Sequence, residues 1–173
     1  KTLTGIPGKT GVIYTLDRQT GKFLWARPTV HQNVVANIDG STGEATVNPA
    51  ALFSKMGDTA EICPALTGGK NWWAGAYSPL TNMMYYGLQN TCADVTVTID
   101  KPDVESLYGT AGRDKVAAGA TSLGTIYAVS AETGRTAWTF DTAGTALSLV
   151  ATGGGLLFGG DLDSVAYCLP IPD

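Results

Sequence analysis

The side chains that could do polar chemistry are few and scattered. They are Lys9 near the amino end, the single histidine His31, Asn71 followed by Trp72 and Trp73, the cysteines Cys63, Cys92 and Cys168, and the carboxylates Asp17, Asp39, Asp161 and Asp163. Read by type alone, Lys9 is an ordinary amine in a turn, Asn71 a turn residue, and the paired tryptophans packing residues. His31 sits in a loop, where a lone imidazole is usually solvated or hydrogen-bonded rather than in contact with a substrate. The four aspartates stand among turn-forming residues. Three cysteines leave one unpaired after any single intrachain disulfide. No two are spaced C-x-x-C, which excludes a zinc ribbon and a c-type haem attachment.

Composition narrows the function classes further. A formal net charge of −4 with no Lys/Arg cluster argues against a nucleic-acid partner, which would need a basic stripe against phosphate. No apolar run reaches the roughly 18 residues that could span a bilayer as a helix. Apolar residues at 44%, charged residues at 15% and 22 glycines describe a compact, turn-rich chain rather than a disordered one. The opening residues lack the apolar core of a signal peptide and run straight into a strand, so a processed or incomplete chain is expected.

The elements that must position these residues come from an internal repeat. Residues Gly11-Val12-Ile13-Tyr14-Thr15-Leu16-Asp17-Arg18-Gln19-Thr20-Gly21-Lys22-Phe23-Leu24-Trp25 align without a gap on Gly124-Thr125-Ile126-Tyr127-Ala128-Val129-Ser130-Ala131-Glu132-Thr133-Gly134-Arg135-Thr136-Ala137-Trp138. In each, an alternating apolar run makes a half-buried strand, a polar turn closed by Thr-Gly reverses the chain, and a second strand carries a tryptophan. Glycine supplies the positive φ such a turn requires. A tryptophan at one fixed place per unit suits an indole that docks against the neighbouring sheet. This is the pattern of a β-propeller.

The two units start further apart than one blade of roughly 40–50 residues, so two or three blade equivalents are expected. Blade-like units fall near 8–28, 72–92, 121–140 and 149–168, with loop insertions at 29–62 and 93–120. Pro79 and Asn82 mark a turn between strands, and one or two helical turns are expected within 48–56 and again within 102–108. The expected fold class is all-β, a partial propeller in a single domain covering residues 1–173. Residues 164–173, with Cys168-Leu169-Pro170-Ile171-Pro172, read as an irregular end.

Several blocks together resemble the pyrroloquinoline-quinone (PQQ)-dependent alcohol dehydrogenases, the quinoprotein methanol and ethanol dehydrogenases. Gly8-Lys9-Thr10-Gly11 leading into Leu16-Asp17-Arg18-Gln19-Thr20-Gly21-Lys22 is similar to that family's Lys/Arg-x-Gly strand and its following turn. Ile38-Asp39-Gly40-Ser41-Thr42-Gly43-Glu44, Ile62-Cys63-Pro64, Gly68-Gly69-Lys70-Asn71-Trp72, Ala76-Tyr77-Ser78-Pro79, Asn90-Thr91-Cys92 and Ala151-Thr152-Gly153-Gly154-Gly155-Leu156-Leu157-Phe158 follow in the family's order. The resemblance covers residues 8–163.

It implies an eight-bladed propeller with the cofactor in its funnel. Lys9 would reach the quinone oxygens, where a preorganised ammonium stabilises negative charge as hydride adds to the ring. Asn71 would donate its amide to a cofactor oxygen, Trp72 would contact the cofactor or shape the pocket, and Trp73 would be structural. The Ser148 region would lie nearby. A Cys63–Cys92 disulfide is implied, contributing about 3 kcal/mol in the chain-entropy model and pointing to an oxidising compartment, the bacterial periplasm. Cys168 would be a free, partly buried thiol.

The same resemblance implies that much of the site lies elsewhere. The family's general-base Asp, its Ca²⁺ or lanthanide ligands, its adjacent cysteine pair and its stacking Trp have no counterpart in this sequence, which therefore holds no metal ligand. The chain alone is expected to be inactive. Its expected partners are the remaining blades, possibly on a second chain, an alcohol substrate, and a periplasmic acceptor such as cytochrome c. The competing reading is a non-catalytic propeller that scaffolds other proteins. Lys9 together with the Gly69–Trp72 block distinguishes the two, because a scaffold has no use for a cation and an amide aimed into the funnel.

Overall fold

The structure, a computed structural model, describes residues 3–98 and 110–172. Alternating apolar runs become strands, which build five antiparallel sheets; three of them pack face to face. The first sheet is β1 (Leu3–Pro7), β2 (Val12–Asp17) and β3 (Phe23–Pro28), in that order. A hairpin of β4 (Val35–Ile38) and β5 (Ala45–Val47) follows, then β6 (Thr59–Ile62). The second sheet begins with β7 (Ala76–Ser78) and β8 (Met83–Gln89). The chain then leaves through β9 (Thr91–Val97), β10 (Thr110–Ala111) and β11 (Asp114–Val116), and returns as β12 (Gly124–Ser130) and β13 (Thr136–Thr142). The resulting order is β13-β12-β8-β7, while β9 pairs with β6, β10 and β11 in a sheet of its own. The third sheet is β14 (Val150–Ala151), β15 (Leu156–Gly160) and β16 (Ala166–Pro170).

The repeat is exact enough to preserve an irregularity. Both units carry a β-bulge at the same step, between Thr15 and Leu16 in one and between Ala128 and Val129 in the other. Both turns close on a glycine of positive φ, 70° at Gly21 and 71° at Gly134. The Gly21 amide donates to Asp17 O at 2.8 Å and that of Gly134 to Ser130 O at 2.9 Å. A third copy of this turn joins β4 to β5. There Gly43 (φ 79°) donates to Asp39 O, and the Asp39 carboxylate accepts from the Ser41 and Thr42 amides, as Asp17 does from Gln19 and Thr20.

The core lies between the sheets. Because side chains alternate along a strand, β8 sends Met84, Tyr86 and Leu88 toward the first sheet, where they meet Ile13, Val30 and Trp25. It sends Tyr85 the other way, where with Ile126, Ala128 and Trp138 of the same sheet it packs onto Leu149 and Leu157. The middle sheet is therefore apolar on both faces and covered on both. Trp25 docks on the second sheet's turn, in van der Waals reach of Gly134, where a side-chain Cβ would stand 2.7 Å from the indole. The expected tryptophan docking is present.

Residues 48–56 hold one helical turn, as expected: the 3₁₀ turn Pro49–Ala51, with Asn48 accepting from the Ala50 amide as its cap. Two other local expectations need correction. The carboxyl end is regular rather than irregular: Ala166–Pro170 is a strand paired along its length with β15. Its Pro170 is tolerated because β16 is an edge strand. Cys168 is free as expected, but exposed rather than partly buried, since it points from that strand to the uncovered face. The turn expected within 102–108 falls outside the described residues.

Candidate functional site

Residues 63–71 form the loop that gathers the expected site residues. Its near end is tied by the Cys63–Cys92 disulfide (S–S 2.07 Å), and Cys63 exchanges hydrogen bonds with Asn33 through both its N–H and its C=O. The Ala65 amide donates to Thr91 O at 2.9 Å, and the Gln89 amide donates to Gly69 O at 2.8 Å, which clamps the loop to the end of β8 and the start of β9. The Gly69 amide donates to Lys9 O at 2.7 Å. Gly68 (φ 83°) lies so close to Lys9 that a Cβ there would stand 2.8 Å from its Cβ and Cγ. Only glycine allows this approach.

Lys9 occupies the turn between β1 and β2, and its exposed ammonium donates to Leu66 O at 2.9 Å. The Asn71 amide Nδ2 donates to Thr67 O at 2.9 Å, the next carbonyl along, while its Oδ1 accepts from the Trp72 amide at 3.0 Å. The loop thus brings the cation and the carboxamide together on consecutive peptide oxygens. Each keeps spare capacity, since an ammonium has three donors and an amide two, and each has spent one. Trp72 is 82% exposed, its indole stacked on Trp73 with centroids 5.6 Å apart. Ser148, just before β14, accepts the Ala74 amide through Oγ at 3.1 Å and braces the far end of this segment from the third sheet.

Two residues take places that sequence reasoning gave no role. Lys70 is only 7% exposed. Its ammonium donates to Asn71 O at 2.8 Å and also to Trp73 O, and burial lowers its pKa from the ordinary lysine value. Gln89 is buried, with Oε1 accepting from the Thr67 hydroxyl and Nε2 without a partner among the described residues. No signal in the sequence separates these two from surface amines and amides. Lys70, Asn71, Trp72 and Trp73 line an open cleft of about 1270 Å³ that also meets Trp25, Tyr86 and Arg18; Lys9 is not part of its wall. Tyr86 is pushed up to about 12 by burial.

His31, Cys63 and Cys92 have candidate ligand atoms within 4.8 Å of one another. Both sulfurs are spent in the disulfide, so the trio offers no thiolate to a metal. Of the carboxylates, Asp17 and Asp39 bind their own turns. Asp161 is buried, accepts from the Asp163 and Val165 amides and from the Tyr167 hydroxyl, and these bonds, the phenol's first, hold its carboxyl below the usual range. All are structural in this arrangement.

A europium-containing methanol dehydrogenase superposes over 98% of the chain with a TM-score of 0.87 at 25% identity. Two curated sequences agree. The dehydrogenase subunit of an alcohol dehydrogenase (quinone) from Gluconobacter oxydans (strain 621H) is 36% identical over 81 residues, 47% of the chain. A lanthanide-dependent methanol dehydrogenase from Methylacidiphilum fumariolicum (strain SolV) is 33% identical over 110 residues, 64% of the chain. Its homologues are quinoprotein alcohol dehydrogenases. No family model matches the chain. It spans 11% and 17% of the length of those two sequences and 30% of the solved chain, and the three sheets correspond to a part of the quinoprotein β-propeller that is not closed.

Proposed function

We propose that this chain is part of a PQQ-dependent dehydrogenase that oxidises alcohols to aldehydes, and that it supplies the Lys9 and Asn71 side of the cofactor pocket. The observation that carries the reading is the seating of Lys9 Nζ and Asn71 Nδ2 on the adjacent carbonyls of Leu66 and Thr67. Two donors seated on one short stretch of loop, Lys9 exposed and Asn71 half-buried, each with unused N–H groups, fit a ring edged by oxygens. The exposed indole of Trp72 beside them fits a flat aromatic. When bound, the quinone accepts hydride from the alcohol carbon.

In that pocket Lys9 stabilises negative charge on a cofactor oxygen, Asn71 donates to a second oxygen and fixes orientation, and Trp72 excludes water from one side. The loop delivers this through rigidity, because preorganised donors need no reordering as charge develops. The general base and the ligands for Ca²⁺ or a lanthanide belong to portions outside this chain, so the chain alone does not turn over. The buried disulfide supports an oxidising compartment, which we read as the periplasm, with a cytochrome c as electron acceptor.

The test is dye-linked alcohol oxidation by the complete assembly loaded with PQQ and Ca²⁺, or with a lanthanide. Lys9→Ala should lower kcat about 10²-fold or more, the scale of losing one charge-stabilising donor. Turnover equal to that of the unmodified assembly would refute the assignment.

A further inference from the structure

The Cys63–Cys92 disulfide has a neighbour that a structural crosslink does not require. His31 carries a ring nitrogen within 4.8 Å of both sulfurs. The three residues come from separate segments, His31 between β3 and β4, Cys63 just after β6, and Cys92 within β9. Both cysteines are buried, packed with Ala117 and Ala120. The imidazole is exposed and makes no hydrogen bond among the described residues, so its nitrogens are unspent. His31 and those two alanines also line a small hollow of about 300 Å³ that opens to solvent.

We infer that His31, Cys63 and Cys92 form a redox-gated site for a divalent cation of the zinc class, shut by the disulfide and opened by a dithiol. The redox step balances. The dithiol gives two electrons and two protons to the sulfur–sulfur bond, leaves as its own disulfide, and frees two thiols. Each thiol then releases its proton to solvent as the cation binds. Tetrahedral zinc, about 2.3 Å from sulfur and about 2.0–2.1 Å from nitrogen, holds such ligand atoms roughly 3.5–3.8 Å apart. Unbonded sulfurs part to that spacing by rotation of their side chains, and the imidazole already stands within about 1 Å of it. Charge and donor type select the ion. Two thiolates and a neutral imidazole around a dication sum to zero, which suits an alanine-lined place where an uncompensated charge is costly. Sulfur and imidazole favour zinc, whereas Ca²⁺ and Mg²⁺ take oxygen. The hollow beside His31 leaves room for a water as fourth ligand. Disulfide and cation use the same sulfurs, so they are alternative clamps on the near end of the 63–71 loop. An oxidising compartment keeps the first, and the reduced chain holds the loop by the second. The inference does not use the cofactor reading.

The experiment uses the complete assembly carrying Cys168→Ser, so that the free thiol of this chain takes no part. The protein is reduced with a dithiol, freed of it by gel filtration under argon, and titrated with Co²⁺ as a spectroscopic stand-in for zinc. Cys63→Ser and His31→Ala in the same background are titrated beside it. Expected is one equivalent of Co²⁺ more than Cys63→Ser takes up, with thiolate-to-cobalt charge-transfer absorption that Zn²⁺ displaces and that is absent before reduction. His31→Ala, a change at an exposed side chain, should weaken this binding by more than the roughly ten-fold cost of losing a hydrogen-bond partner to a metal ligand. No excess over Cys63→Ser, the same absorption before reduction, or equal affinity in His31→Ala would each overturn the inference. So would a disulfide that the dithiol leaves closed in the folded protein, or a reduced protein whose native tryptophan emission is lost and not restored by Zn²⁺. Alcohol oxidation is not the readout, so a failure here leaves the cofactor reading where it stands.

Discussion

Substituting Gly21 and Gly134 separately by alanine isolates the energy of one inter-sheet contact. The two glycines occupy the same place in the repeat, with φ of 70° and 71°, so alanine costs each about 1 kcal/mol for a left-handed backbone. Their surroundings differ. A Cβ on Gly21 would meet nothing within 4 Å, whereas one on Gly134 would stand 2.6 Å from Arg27 Cγ and 2.7 Å from the Trp25 ring. The arginine stem can swing away, but the indole is packed against the buried cluster between the first and second sheets and cannot. Overpacking of this kind adds about 1–3 kcal/mol. We expect Gly21→Ala to lose about 1 kcal/mol and Gly134→Ala about 2–4 kcal/mol in urea unfolding followed by tryptophan fluorescence. The excess should vanish in the pair Trp25→Ala with Gly134→Ala, because the contact is then already gone. Equal losses in the two single variants would refute the claim that Trp25 leans on the following turn.

Other outcomes follow from particular groups. Replacing Cys63 and Cys92 together by alanine should cost about 3 kcal/mol, read by the same unfolding assay, and reduction of the unmodified chain with a dithiol should add two hydrogen atoms to its intact mass. Tyr86, pushed up to about 12 by burial, should remain protonated at a pH where exposed phenols have ionised. Ultraviolet titration should show a late step that Tyr86→Phe removes. Because the unfolded phenol ionises near 10, stability from this group is full below 10 and is lost as the pH rises toward 12. Lys70 should titrate below 10.5 and Lys115 above it in a carbon-13 NMR titration, since burial disfavours one ammonium while Glu61 and Asp94 hydrogen-bond the other. Charged Lys70 accordingly subtracts from stability at neutral pH, and the subtraction eases as the pH rises through its folded value toward 10.5.

The blade framework could be read from the sequence because its signal is local. Alternation and a Thr-Gly turn are visible within fifteen residues, and the repeat even carries its bulge to the same step. The Asp39–Gly43 turn was visible as a block of residues but not as a third copy of the same turn, because the short strands it joins are largely exposed. Exposure removes the alternation that marks a strand. The same cause hid β11, whose three residues all face solvent. The carboxyl-terminal strand was missed because Pro170 and Pro172 argue against a strand interior. At an edge that argument fails, since a proline there removes no ladder bond.

The junction of the site is a harder case, and the reason is physical. Lys9 and Asn71 can each be singled out by the block they stand in, but what brings them together is a set of contacts between distant segments. Asn33 exchanges hydrogen bonds with Cys63, Thr91 receives Ala65, Gln89 reaches Gly69, and Gly69 reaches Lys9. None of these has a periodicity. Most are backbone groups, which every residue carries and which therefore leave no trace in residue type. The exceptions are the two places where the backbone bond forces a choice of side chain. Gly68 must be glycine because a Cβ there would stand 2.8 Å from the Lys9 stem, and Cys63 must be cysteine to reach Cys92. Both stand inside the blocks that carry the resemblance. The residues that mark the site in the sequence are thus those that fix the loop. A change at Gly68 should disturb the seating of Lys9 as severely as a change at Lys9 itself, since the loop that accepts the ammonium at Leu66 is the one that a Cβ at Gly68 would push away.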